Sequence, residues 1–203
     1  MKCYVTANSP YGRKVRVAAN ETGLADEVEW QMITPEERTK VIPGINPLGK
    51  VPVAILESGE VLFDSPVICA YVDSLNNDGP KLIPQAVGAR WAVLTLEALG
   101  DGLAEAVIAG SQEDQKPDEK RSQGIVDRQM GKVTSALGAL NKMAGDFNDP
   151  PMMGEIAVAC ALGFMEFRKL VPGWRETYPA LSGWYAGMLK RQSFIRTAPT
   201  TQG

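Results

Sequence analysis

The sequence predicts two unlike halves, an α/β unit of order βαβαββα over residues 1–78 and an all-helical region over 89–203, joined by a linker over 79–88. Three observations carry this. Up to position 78, short apolar runs alternate with helical patterns. The stretch Asn76-Asn77-Asp78-Gly79-Pro80 is dense in turn formers, with Pro84 soon after, so residues 76–88 interrupt regular structure. Beyond it, apolar residues recur only at helical spacing.

The elements follow in order. Cys3 to Thr6 reads as a strand, Tyr11 to Thr22 as a helix and Val28 to Ile33 as a second strand, which makes a βαβ beginning. Thr34-Pro35-Glu36-Glu37 reads as a capped turn. Val53 to Leu56 and Val61 to Phe63 form a hairpin around Ser58-Gly59, and Ser65 to Leu75 is helical. One mixed sheet of four strands is expected. In the second half, 89–109 and 118–144 carry apolar stripes, the latter with Ile125, Met130, Val133, Leu137 and Leu140. The charged segment Glu113 to Arg121 between them reads as a solvated connection. Residues 154–168 and 179–191 are two further helices, the first apolar on all sides and therefore expected at the centre.

Composition excludes several function classes. With 21 basic against 24 acidic residues and a net charge of -3, the chain lacks the excess of cations that a nucleic-acid or anionic-membrane surface requires. Its apolar run Ile156 to Met165 is far short of the roughly 20 residues that cross a bilayer. Lys2, Asn8, Arg13, Lys14 and Arg16 break the N-terminal region, so no secretory signal is expected and the expected location is the cytoplasm. Histidine is absent, which removes Ser-His-Asp and Cys-His nucleophiles together with the commonest transition-metal ligand. Cys3, Cys69 and Cys160 are odd in number, widely spaced and flanked by apolar residues, as buried free thiols are.

Three places carry chemistry, and each also has a purely structural reading. Ser9-Pro10 lies between the first strand and first helix, where a serine followed by proline caps a helix. The same hydroxyl could donate to a bound thiolate, whose charge the helix N-terminus favours. Val51-Pro52 is either a proline opening an edge strand or a cis-proline that presents the preceding backbone groups to a ligand. Asp64-Ser65-Pro66 is either a cap with Ser65 at the capping position or a clamp for an amino-acid end, with carboxylate on Ser65 and ammonium on Asp64.

In their order and spacing, Ser9-Pro10-Tyr11, Asn46-Pro47-Leu48-Gly49-Lys50-Val51-Pro52 and Asp64-Ser65 resemble the cytosolic glutathione S-transferases. Gly154-Glu155-Ile156-Ala157 resembles their central-helix signature, and Tyr178-Pro179-Ala180-Leu181, Trp184 and Ser193-Phe194 resemble their ending. Similarity is strongest to bacterial serine-type members. The resemblance implies a thioredoxin-like domain that holds glutathione as cosubstrate, a helical domain that forms most of the electrophile pocket, and a homodimer. By the same resemblance Ser9 stabilises the glutathione thiolate, and Val51, ahead of cis-Pro52, pairs through its backbone with the cysteinyl unit. Lys50 approaches the glycine carboxylate, and Asp64 with Ser65 holds the γ-glutamyl end. Tyr11 is the aromatic expected near the electrophile.

The implied reaction is conjugation of the thiolate to small apolar electrophiles, as in detoxification, with no metal required. Two other readings use the same residues: a binding or regulatory protein with little turnover, and glutathione-dependent peroxide reduction or ether cleavage. Ser9-Pro10-Tyr11-Gly12 also resembles a glutaredoxin turn with both sulfurs removed, which disfavours dithiol exchange. Departures from the family pattern are local. Asp64 is one methylene shorter than the frequent Glu, and Pro66 offers no N–H. Met152 stands where a Ser or Thr would cap the central helix, a loss on the order of 1 kcal/mol unless another group substitutes. Around Trp91, Leu103 and Ala104, core packing is the expected role rather than pocket wall.

Overall fold

The computed structural model describes residues 1–77 and 79–199. Asp78 of the expected turn and residues 200–203 of the expected helical region lie outside the described residues.

The first half is built as the pattern predicts. Strand β1 is Lys2–Val5, helix α1 Pro10–Glu21, β2 Glu29–Met32, α2 Pro35–Val41, β3 Val53–Ile55, β4 Val61–Leu62 and α3 Ser65–Leu75. The sheet order is β2-β1-β3-β4, with β1 parallel to β2 and antiparallel to β3, and β3 antiparallel to β4. Thr34 begins a true helix. Its hydroxyl accepts from Glu37 N at 3.2 Å, and Glu37 Oε2 accepts from Thr34 N at 2.8 Å, a complete capping box. Helices α1 and α3 pack side by side on one face of the sheet, burying Val15, Ala18, Ile68 and Val72.

The linker residues are pinned rather than loose. Leu82 and Ile83 are buried, and the Asp73 carboxylate accepts from their backbone N–H groups at 2.6 and 3.4 Å. Lys81 Nζ donates to the carbonyls of Asp73 and Asn76 at 2.7 and 2.6 Å, which satisfies groups orphaned at the C-terminus of α3.

The second half is helical among the described residues: α4 Val87–Asp114, α5 Gln123–Met143, α6 Met153–Phe167, α7 Trp174–Thr177, α8 Pro179–Met188 and α9 Gln192–Arg196. Helix α4 outruns its expected 89–109 span at both ends; residues 114–121 of the charged segment are exposed as expected, but its first residue is not. Glu113 belongs to α4, is 6% exposed, and accepts from Ser122 N at 2.8 Å, so it secures the entry to α5 instead of facing water. Helix α6 is central as expected, with every residue from Met153 to Met165 buried.

The capping loss at Met152 is made good by other groups. Glu155, buried at 1% exposure, accepts from Met152 N at 3.1 Å and from the Asn148 backbone and side chain at 3.0 and 2.8 Å. Met153 N finds Leu82 O at 2.9 Å.

The two halves meet along α1. Its rear face receives α9: buried Arg13 donates to Phe194 O at 3.2 Å and Thr197 Oγ1 at 3.4 Å and lies over the Phe194 ring. Glu21, the last residue of α1, takes a two-pronged contact from Arg191 at 2.9 and 2.7 Å and a further bond from the Ser193 hydroxyl.

Candidate functional site

Strand direction decides where the candidate residues fall. Tyr4, near the end of β1, pairs with Val53 at the start of β3, and Leu62, at the end of β4, pairs with Ala54. The end of β1, the start of β3 and the end of β4 therefore share one edge of the sheet. The chain leaves β1 for Ser9 and α1, enters β3 through Lys50, Val51 and Pro52, and leaves β4 for Asp64, Ser65 and α3. All six expected binding residues gather at that edge. Two neighbouring helices also begin there, so unpaired amides and two positive dipole ends face the same space.

Ser9 is the N-cap of α1, and its Oγ accepts from Gly12 N at 3.1 Å. Capping uses an acceptor lone pair and leaves the hydroxyl hydrogen able to donate, so the structural and chemical readings of Ser9 coexist. No acidic side chain stands in the first turn of α1 to offset its dipole.

The Val51-Pro52 peptide is cis, and Pro52 is buried. Lys50 is exposed, and Val51 precedes the first ladder pair of β3. At the third place the capping position is Asp64 rather than Ser65, which is the first residue of α3 and is buried at 2% exposure. The Asp64 carboxylate is exposed and makes no capping bond to its own helix.

Tyr11 is half-buried and donates from its hydroxyl to Asp101 O of α4 at 3.3 Å, which places it where α1 meets the helical half. Burial first, then the charges of Asp101 and Glu105, raise its phenol above the ordinary value, so it stays a neutral donor. Leu103 and Ala104 are core residues at 2% exposure each, whereas Trp91, expected in the core, is 61% exposed.

Beside Tyr11 lies a cluster that the sequence reading did not single out. Lys14 is 1% exposed and pairs with Glu97 at 2.9 Å and Asp101 at 2.6 Å. Burial alone would lower the pKa of Lys14, but the charges of Asp101 and Glu97 opposite it raise it. Burial raises the carboxyls of Glu97 and Asp101 above their usual range, against the pull of Lys14, and the Asp64 charge acts in the same upward direction. Glu97 and Asp101 stand four apart within the buried stripe Leu96, Gly100, Ala104 and Val107 of α4, and two carboxylates in an apolar stripe are the signal that a buried cation faces them.

The three thiols are free and buried. Desolvation pushes Cys3 up to about 12 and Cys160 to about 11, and Cys69 rises well above its usual value for the same reason, so none is a ready nucleophile. Among the described residues, no group of three or more Cys, Asp or Glu side chains is placed to hold a metal, and no helix is long and apolar enough to cross a membrane.

A four-stranded mixed sheet with a cis-proline and two helix N-termini at one edge, followed by a helical domain packed on α1, is the thioredoxin-like and helical pairing of the glutathione S-transferase fold. Known proteins agree. The family model for the glutathione S-transferase N-terminal domain matches residues 8–75, and that for the C-terminal domain matches 123–187. An uncharacterized GST-like protein of Escherichia coli, YibF, is 33% identical over 202 residues, 98% of each chain. A Methylobacillus flagellatus glutathione S-transferase solved with glutathione bound is 36% identical, covers 98% of this chain and 99% of its own, and superposes with a TM-score of 0.88. A Pseudomonas fluorescens glutathione transferase family member, also solved with bound glutathione, is 35% identical over the same shares with a TM-score of 0.90. The chain belongs to the glutathione S-transferase family.

Proposed function

We propose that this chain is a serine-type glutathione transferase that joins the glutathione thiolate to small apolar electrophiles. The observation that carries the reading is the convergence at one sheet edge of Ser9 with a free hydroxyl hydrogen, the cis Val51-Pro52 step, and an Asp64 carboxylate not spent on capping. Ser9 donates to the thiolate, Val51 meets the cysteinyl backbone, Lys50 faces the glycine carboxylate, and Asp64 with Ser65 receives the γ-glutamyl end. Tyr11 borders the electrophile.

The protein's chemical task is to tune a pKa. Lowering a thiol by about 2 units takes roughly 2.7 kcal/mol of preference for the thiolate, within reach of one donor to a charged group plus a helix end. In this reading residues 1–78 bind glutathione, 89–203 shape the electrophile pocket, and the working form is a cytoplasmic homodimer.

The test is an electrophile screen with glutathione, run side by side on the wild type and Ser9→Ala. A donor to a charged partner contributes about 1.5–3 kcal/mol, so kcat/KM should fall by about 10- to 100-fold while glutathione affinity changes little. Unchanged turnover would remove Ser9 from this role. Binding of glutathione without turnover of any electrophile would favour a binding protein, and no binding at all would overturn every glutathione reading.

A further inference from the structure

Asn46 is a buried polar side chain near the site edge that binding does not use, at 1% exposure. Its two amide groups are both committed within the loop that leads into the cis-proline. Nδ2 donates to Lys50 O at 2.9 Å, and Oδ1 accepts from Leu48 N at 3.0 Å. The backbone of the same residue adds two more ties, its N–H to Ile42 O at 2.8 Å and its carbonyl to Gly49 N at 2.9 Å. Gly49 takes the positive φ of 62° that lets the loop close on Asn46.

The bond to Lys50 O has a directional effect. The Lys50-Val51 peptide is not among the cis bonds, so its C=O and N–H point in opposite directions across a planar unit. Drawing Lys50 O inward to buried Asn46 turns Val51 N–H away from the loop interior. A side-chain amide can do this because it carries a donor and an acceptor on separate atoms, the donor to Lys50 O and the acceptor to Leu48 N.

We infer that Asn46 is a positioning residue for glutathione: its side chain never reaches the ligand, but it sets the Lys50-Val51 peptide so that Val51 N–H is presented to the cysteinyl unit. The inference rests on the proposed glutathione reading and adds a residue to it. Asn46→Asp is the sharpest perturbation, because it keeps the acceptor for Leu48 N and replaces the donor to Lys50 O with a second acceptor of nearly the same size.

The experiment is calorimetric titration of the wild type and Asn46→Asp with glutathione, alongside steady-state kinetics in which each substrate is varied. The expected result is a glutathione Kd and KM raised about tenfold, with kcat at saturating glutathione and the KM for the electrophile within about twofold. A variant that binds glutathione within about twofold of the wild type overturns the inference and leaves the glutathione reading standing. A variant that loses kcat with an unchanged glutathione KM also overturns it, since that is the signature of a residue serving the fold alone. If the wild type itself binds no glutathione, the function proposed above fails and the inference falls with it. Should the variant not fold, amide exchange of the wild type decides: saturating glutathione slows exchange at Val51 N–H if the inference holds, and an unchanged rate there overturns it.

Discussion

Replacing Lys14 with Met tests how α1 is keyed to the helical half. Met keeps most of the stem and deletes the ammonium that sits 2.9 Å from Glu97 and 2.6 Å from Asp101. The magnitude follows from burial. Glu97 is left with a side chain only 4% exposed and no cation, while Asp101, at 21%, can draw on solvent. Removing one member of a buried pair costs about 3–5 kcal/mol. Solvation of Asp101 places the expectation at about 3 kcal/mol, a large part of the 5–15 kcal/mol that holds a typical domain together. The assay is urea unfolding at neutral pH. The deficit should also depend on pH with a definite sign. Glu97 and Asp101 already have folded-state pKa values above the ordinary carboxylate range. Such groups add stability that is fully present below their unfolded pKa and is lost as pH rises through the folded value. Without Lys14 both values rise further, so the deficit should be larger near pH 8 than near pH 5. Adding Glu97→Leu to Lys14→Met should recover most of the loss, because replacing a buried pair with apolar groups is close to neutral. A loss under about 1 kcal/mol at neutral pH, or a deficit that grows on acidification, would refute the reasoning.

Two further expectations concern packing and recognition. A Cβ on Gly100 would lie 2.7 Å from backbone atoms of Ala157 and Val158, so Gly100→Ala should destabilise by about 1–3 kcal/mol in thermal melts; Gly102→Ala, with nothing within 4 Å, should instead match or exceed the wild type. Asp64→Asn should weaken glutathione binding about 10- to 100-fold by calorimetry, the worth of a charge-assisted bond, while leaving the melting temperature nearly unchanged because Asp64 makes no capping bond; equal affinity would remove Asp64 from recognition of the γ-glutamyl amine.

How far the sequence could be read depended on the range of each interaction. The strands, α1, α3 and the Thr34 capping box follow from local spacing, and the convergence of Ser9, Val51 and Asp64 follows once the hairpin fixes which strands run together. Asn46 was visible within its motif, but its role depends on a loop path closed by four hydrogen bonds. Lys14 meets carboxylates 83 and 87 residues away, a pairing that no local pattern encodes. Helix α4 outruns the 89–109 span because Gly88 and Gly110, which flank that span, lower intrinsic helix propensity without ending the helix. Composition points Glu113 to solvent, whereas one bond to Ser122 N makes it part of a helix junction. Trp91 went the other way, since helical spacing marks an apolar residue without saying whether another element covers it.

The seating of α9 on α1 bears on the order in which the protein can be completed during synthesis. Helix α1 and its Ser9 cap leave the ribosome before α9, yet the guanidinium of Arg13 and the carboxylate of Glu21 find their partners in residues 191–197. Until that late segment emerges, the rear of α1 carries a cation without its carbonyl and hydroxyl acceptors and an acid without its guanidinium. A helix made before its partners is thus finished by residues 170 to 184 positions further along the chain, and the edge it carries is complete only once they have emerged.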